Sequence, residues 1–124
     1  MLKASETYLT EDVSAQDLLD GILSMNDDLG DKNAELRALM SQKISAQAEY
    51  DAALQLAITS LREGKYPLPL LMSKAKSQVS AEQQKLDTAK VVIECLRDDM
   101  TLIKTQIDCY RSLLSWLKAE ILNS

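Results

Sequence analysis

The feature that most constrains the fold is a seven-residue apolar repeat between Val79 and Ile121. Its first positions, called a, are Val79, Leu86, Ile93, Met100, Ile107, Leu114 and Ile121. Its fourth positions, called d, are Glu82, Ala89, Leu96, Ile103, Tyr110 and Leu117. A repeat sustained over about six heptads is typical of a long helix that packs in a coiled coil. We therefore expect one helix over about 70–123.

The N-terminal half carries a second helical pattern. Ser14 and Asp17 are spaced as a capping box, which predicts a helix start at about residue 14. The periodic positions that follow are Leu18, Leu19, Ile22, Met25 and Leu29, and then Leu36, Met40, Ile44, Ala48, Asp51, Leu54, Ile58 and Leu61. Gly30 can break a helix, bend it or be tolerated within it. The pattern predicts helices at about 14–29 and 31–63, or one continuous helix.

The segment between these patterns predicts a turn at about 64–69. Gly64 suits the position just after a helix end, and Pro67 and Pro69 exclude an uninterrupted helix. A short connection of this kind joins two antiparallel helices. We predict an all-α fold, an antiparallel helical hairpin with a long C-terminal coiled-coil helix that can form a bundle on oligomerisation. Residues 1–13 are aperiodic and are expected to form a flexible arm, with 14–124 as a single helical domain.

Composition restricts the chemistry. The chain of 124 residues contains no His, which excludes His-based catalytic triads and His-ligated metals. Cys95 and Cys109 would lie about 21 Å apart along one helix, beyond disulfide reach, and two thiols are too few for a zinc site. We expect no enzyme, no catalytic residues, no cofactor and no metal. The absence of an apolar leader or an apolar span predicts a cytoplasmic protein without a membrane partner.

The e positions of the repeat form a basic stripe that permits two interpretations. Its cations, at seven-residue spacing, are Lys90, Arg97, Lys104, Arg111 and Lys118. They could line the phosphates of a single-stranded nucleic acid. Alternatively they flank the helix seam and pair with acids at position b and on the facing helix. Residues 1–63 hold 12 acids and 5 bases, whereas residues 64–124 hold 7 acids and 9 bases, which favours the second interpretation.

The apolar face of the C-terminal helix is wider than one partner helix can cover. Positions c and g, beside a and d, include Leu102, Cys109, Leu113 and Trp116, and they widen the face to roughly 160°. The N-terminal half or another chain must cover this extra width. We therefore expect a homo-oligomer, with a dimer favoured.

Two groups of residues are candidates for binding a protein partner. The first comprises Trp116 with Leu113, Leu117 and Arg111, since Trp and Arg are frequent interface hot spots. In the alternative, Trp116 packs against Leu18, Leu19 and Ile22. The second comprises Tyr66 and Leu68 in the turn, which either fold back on the hairpin end or form a docking surface.

Several short motifs resemble a group of small helical proteins encoded in the early regions of phages and prophages, often near recombination genes. The motifs are Tyr50-Asp51, Leu61-Arg62-Glu63-Gly64-Lys65-Tyr66-Pro67, Lys74-Ala75-Lys76 and Leu113-Leu114-Ser115-Trp116-Leu117-Lys118-Ala119-Glu120. The resemblance covers about residues 45–121, and Ser77 stands where a common form of the turn has Gly. Because the group has no settled activity, the resemblance implies a source, a host cytoplasm and a genomic context.

Together these features predict a non-catalytic protein-interaction module that modulates or inhibits a host or phage DNA-processing or defence complex. One alternative is a single-stranded nucleic-acid-binding accessory protein that uses the basic stripe. Another is a structural coiled-coil spacer.

Overall fold

The computed structural model describes residues 14–123, and within this range it contains helices and no strand. Helix α1 spans Ala15–Leu61 and is followed by a 3-10 turn at Arg62–Gly64. Helix α2 spans Leu68–Gln78, and helix α3 spans Ser80–Asn123. The long helix α3 packs against α1, which confirms the all-α helical hairpin. The predicted N-terminal arm, residues 1–13, lies outside the described residues.

The predicted capping box starts α1. The backbone N–H of Asp17 donates to the Ser14 hydroxyl over 3.1 Å, and the N–H of Ser14 donates to the Asp17 carboxylate over 3.3 Å. These reciprocal bonds satisfy two backbone donors that a helix start otherwise leaves unpaired. The helix therefore begins where the sequence predicts.

Gly30 does not interrupt α1, which continues from Ala15 to Leu61. Of the alternatives considered, the continuous helix is the one observed. A glycine inside a helix costs only about 0.5–1 kcal/mol relative to alanine. A break would forfeit backbone hydrogen bonds on both sides of the residue, so the continuous helix is the more favourable arrangement.

The turn differs from the prediction in its position and in its left-handed residue. The helical path continues through the 3-10 turn to Gly64, and Lys65 adopts φ 56° and ψ 38°. Gly64 has no positive φ, but the Tyr66 ring packs so closely on it that an added Cβ would lie 2.5 Å from the ring. Glycine here permits the close approach of an aromatic ring and does not supply a left-handed backbone.

The single helix expected over about 70–123 is interrupted at Val79, the residue between α2 and α3. Val79 has φ −105° and ψ 23°, and its N–H bonds to the carbonyl of Lys76 over 3.3 Å. Val79 and Ala75 are buried in one cluster with Ala57 of α1. The interruption thus lies where Ala75 and Val79 pack with Ala57 of α1, and the helical pattern of the sequence does not reveal it.

Contacts divide the chain into two compact units. The first unit combines α1 up to Asn33 with α3 from Asp98 onward, and the second unit is Ala34–Arg97. The core of the first unit consists of Ile22, Ile103 and Ile107, with Met25, Leu29, Tyr110 and Leu114 packed against it. The core of the second unit contains Ala57, Ala75 and Val79, with Tyr50, Ala53, Leu54, Ile58 and Leu61 around it.

The repeat correctly identifies the buried face of α3. In the second unit the buried a and d residues of α3 are Leu86, Ile93 and Leu96. In the first unit they are Met100, Ile103 and Ile107. The repeat fails at its last position, since Ile121 is 70% exposed.

The periodic positions chosen in α1 are only partly correct. In the second unit Met40 is 40% exposed and Ile44 is 70% exposed, whereas Ala46 is buried. Each four-residue step turns the side-chain direction by about 40° around the helix axis. Residues 36, 40, 44 and 48 therefore point progressively away from α3. Alternating steps of three and four residues, as in Leu39, Lys43 and Ala46, keep one face toward the partner helix.

The same substitution is expected to have different effects on stability at the two glycines of α1 in the first unit. A Cβ at Gly30 would meet nothing within 4 Å, so Gly30→Ala should raise the free energy of unfolding by about 0.5–1 kcal/mol. A Cβ at Gly21 would collide with the Tyr110 ring, so Gly21→Ala should give no such gain. Urea unfolding of both variants, followed by circular dichroism, checks this. Equal stabilisation by both substitutions would contradict the close Gly21–Tyr110 contact.

Candidate protein-binding surface

An apolar stripe of α3 remains uncovered in the first unit. We call it the Trp116 flank, and its residues are Leu102, Gln106, Cys109, Leu113 and Trp116. Leu102 is 58% exposed, Leu113 47% and Trp116 51%, and Cys109 is also exposed. A helix that already buries its a and d residues thus presents a second apolar stripe to solvent.

Helical geometry explains why these residues share one surface. At about 100° per residue, the flank residues lie within about 40° of the direction of Leu102. The core residues Ile103 and Ile107 point about 100–140° away from that direction. Since α1 covers the core stripe, it leaves the neighbouring flank exposed, as the width of the apolar face indicates.

Trp116 is not buried by the N-terminal segment. Leu18 and Ile22 are buried, but Leu19 is 46% exposed and Trp116 is 51% exposed. The indole is therefore not fully enclosed by these residues, and its packing against Leu18, Leu19 and Ile22 stays a prediction. About half of the largest side chain in the first unit is available for contact.

The structure does not bring all the predicted partner-binding residues to this flank. Leu117 is half-buried and lines an open groove of about 410 Å³ with Ala15, Leu114 and Ile121. Arg111 is exposed, but it points about 160° away from Leu113 around the helix. Of these predicted residues, Leu113 and Trp116 lie on the flank, whereas Leu117 and Arg111 do not.

Acidic residues surround the flank. On α3 itself, Asp99 and Glu120 lie at its two ends, also at g positions. On α1, the contact of Gly21 with the Tyr110 ring marks the side that faces the flank. Asp17 and Asp28 project within about 40° of Gly21 and are exposed, and the half-buried Lys32 projects about 20° from Gly21 on the same face.

The first unit as a whole is negatively charged. Its described residues hold 9 acids and 4 bases, a net charge of −5. One base, Lys32, lies 4.0 Å from Asp28. The other three are Lys104, Arg111 and Lys118, which lie about 160–200° from the direction of Leu102. No cation of α3 in this unit therefore borders the flank.

All five residues of the basic stripe are exposed. Two of its members, Lys90 and Arg97, belong to the second unit, and the other three belong to the first unit. Among residues 14–123, Lys32 pairs with Asp28 and Lys85 pairs with Glu49. The pairing expected between the stripe and position b is therefore not seen at Lys90 or Arg111.

The turn of the second unit is partly packed and partly exposed. The Tyr66 ring packs on Gly64, and Nζ of Lys74 lies 4.9 Å from its centroid. Leu71 is buried, whereas Leu68 is 69% exposed and Leu70 is 45% exposed. Part of the apolar turn thus folds back, and part of it faces solvent.

Leu102, Asp99 and Glu120 belong to the site but were not among the predicted partner-binding residues. The signal that could have identified them is the same c and g periodicity that contains Leu113 and Trp116. Extending that periodicity toward the start of α3 reaches Leu102 and Asp99, and extending it toward the end reaches Glu120.

Other kinds of site find no support among the described residues. Within 14–123 no three acidic or thiol side chains cluster in a way that could hold a metal ion. In the same range no helix has the length and apolar character needed to cross a membrane. Comparisons with protein-family models, with curated proteins and with solved structures find no match to this chain. The geometry of the exposed surfaces therefore carries the functional conclusion.

Proposed function

We propose that this protein is a non-catalytic interaction module that binds a partner protein through the Trp116 flank. The observation that supports the proposal is the half-exposed set of Leu102, Leu113 and Trp116 on one side of a continuous helix. Contiguous apolar side chains held at the surface are characteristic of contact sites. Trp is among the residues that most often dominate the energy of such contacts.

The helical scaffold favours tight binding by these side chains. Their backbone is already ordered in α3, so association costs little backbone entropy. Tyr110 and Leu114 pack against the core of the same unit and hold the helix in place beneath the flank. Binding then requires mainly the immobilisation of exposed rotamers, which costs about 0.5–1.5 kcal/mol for each rotamer-rich side chain.

The motif resemblance suggests the context of the partner. Small helical proteins of phage early regions lie near recombination genes, so we propose a host or phage DNA-processing or defence complex in the host cytoplasm. The protein would modulate or inhibit that complex by occupying one of its surfaces. Its two long helices would then serve as a coiled-coil support for the binding flank.

Trp116→Ala should weaken binding of the partner at least tenfold, because truncation of a hot-spot Trp removes about 2 kcal/mol or more of binding energy. The partner is first recovered by pull-down from nuclease-treated bacterial lysate, and its affinity is then measured with purified protein by calorimetry. Leu23→Ala is a matched control, since Leu23 is a 62% exposed apolar residue of the same unit away from the flank. Equal affinity for the wild type and Trp116→Ala would contradict the proposal.

A nucleic-acid function is the second candidate, supported by the exposed cations of the basic stripe. Lys104, Arg111 and Lys118 repeat at about 10.5 Å in the first unit, without a carboxylate within ion-pair distance in the described chain. The net charge of −5 on that unit opposes this function. Binding of single-stranded DNA that weakens steeply with salt would favour it over the protein-binding proposal.

A further inference from the structure

We propose that the occupant of the Trp116 flank is a cationic amphipathic helix. This inference rests on the proposed protein-binding function and specifies the chemistry of the partner. It draws on three properties of the first unit, namely the length of the apolar stripe, the acids around it and the position of the cations of α3.

The length of the flank matches a helical partner. Leu102 and Trp116 are separated by 14 residues, which corresponds to about 21 Å along α3. A helix of about four turns covers that distance and can place apolar residues at i, i+3 or i+4, and i+7 against it. The exposed side chains thus supply the apolar half of a helix-on-helix contact.

The charges around the flank select a positively charged partner. Asp99 and Glu120 lie at its ends, and Asp17 and Asp28 lie on the neighbouring face of α1, where Lys32 pairs with Asp28 over 4.0 Å and leaves the acids in excess. A helix that lies on the flank would expose its polar side to these carboxylates. Lys and Arg at that side would be attracted, and Asp and Glu would be repelled, so the acids set the sign of the partner charge.

A second copy of this chain fits the flank less well. Two first units in contact would bring together two net charges of −5. The cations of α3 cannot compensate in a flank-to-flank contact, because they project from the opposite side of the helix. The like-charge repulsion disfavours self-association through this surface and favours a cationic partner.

Synthetic helical peptides of about 18 residues test the inference directly. They share Leu at the apolar positions, lack Trp and differ only in having Lys, Gln or Glu on the polar side. Since Trp116 is the only Trp of the chain, its fluorescence reports occupation of the flank. We expect the Lys peptide to bind with a blue shift, at least tenfold more tightly than the Gln peptide, and the Glu peptide not to bind.

Raising the salt concentration from 50 to 500 mM should lower the affinity of the Lys peptide at least tenfold and leave the affinity of the Gln peptide nearly unchanged. The peptide should also protect Cys109 from alkylation without protecting Cys95, which is an exposed thiol of the second unit. Equal binding of the Lys and Gln peptides, absence of binding by the Lys peptide or protection of Cys95 alone would overturn the inference.

Two charge variants with the same change in net charge locate the effect. The flank variant carries Asp28→Asn, Asp99→Asn and Glu120→Gln, and the control variant carries Asp20→Asn, Asp27→Asn and Asp108→Asn. Around the axis of α1, Asp20 and Asp27 project about 100–120° from Gly21. Around the axis of α3, Asp108 projects about 120° from Leu102. Relative to the wild type, we expect the flank variant to bind the Lys peptide at least fivefold more weakly. The affinity of the control variant should change by less than twofold. Equal weakening by both variants would overturn the inference.

The inference and the proposed function can fail separately. If Trp116→Ala abolishes binding of the natural partner but the flank charge variant and salt have no effect, the protein-binding function stands and the cationic helix is excluded. If the Lys peptide binds as expected but Trp116→Ala leaves the natural partner bound, the proposed function fails. Light scattering that shows twice 13.8 kDa, reduced to 13.8 kDa by Trp116→Ala, would assign the flank to a second copy.

Discussion

Leu86→Ala is expected to lower the free energy of unfolding by about 2–5 kcal/mol. Leu86 lies in α3, is 2% exposed and is the largest fully buried side chain among the described residues. The substitution removes apolar contacts and leaves a cavity that the helices can only partly close. Helix propensity contributes little, because Leu and Ala are both good helix formers.

Leu56→Ala is the matched control for this prediction. Leu56 lies in α1, belongs to the same unit and is 73% exposed. The same change of side chain should therefore alter the free energy of unfolding by less than about 0.5 kcal/mol. Urea unfolding followed by circular dichroism measures both variants. Similar stabilities for the two would contradict the burial of position a in α3.

Glu82→Leu is expected to raise the free energy of unfolding by about 1–2 kcal/mol. Glu82 occupies a d position, and its Oε2 is buried without a hydrogen-bond partner. A buried polar group without a partner costs about 1–3 kcal/mol. Leu at this position would also extend the apolar face between Val79 and Leu86, both of which are buried.

A smaller electrostatic effect opposes this gain. Glu82 lies in the first turn of α3, where a negative charge stabilises the helix by about 0.3–1 kcal/mol. The cost of the buried oxygen is the larger quantity, so we expect net stabilisation. Glu94→Leu is the control on the exposed side of the same helix and should change stability by less than about 0.5 kcal/mol. A loss of stability in Glu82→Leu would show that the dipole interaction dominates.

The fold class and the core face of α3 were predictable from local information. The capping box of Ser14 and Asp17 defines the start of α1, and the scarcity of Gly and Pro allows long helices. The heptad pattern of α3 identifies buried residues because six successive repeats select one direction around the helix. In each of these cases the determining residues are close together in sequence.

The buried face of α1 and the interruption at Val79 were not predictable in the same way. In α1, Met40 and Ile44 are as apolar as many core residues, yet they are exposed. Their burial depends on the side from which α3 approaches, which α1 alone does not specify. Similarly, the pattern around Val79 is compatible with an uninterrupted helix, whereas in the structure Val79 separates α2 from α3 and is buried with Ala75 and Ala57.

The candidate site shows the same division. The periodicity that joins Leu113 to Trp116 predicts a common apolar flank, because spacing along a helix determines which side chains share a direction. It does not establish whether Leu18, Leu19 and Ile22 cover that flank. The half-exposed Trp116 shows that the flank is not fully covered, and the Gly21–Tyr110 contact indicates which face of α1 borders it.

The sequence by itself therefore determined the helical hairpin, the start of α1 and the direction of each side chain around α3. These properties depend on helix propensity, capping and a period of 3.6 residues, all of which act within a few residues. Only the tertiary structure decided which apolar stripes are buried and which remain exposed, including the Trp116 flank. A helix with more than one apolar stripe can bury only the one that its neighbour contacts, and that neighbour lies far away in the sequence.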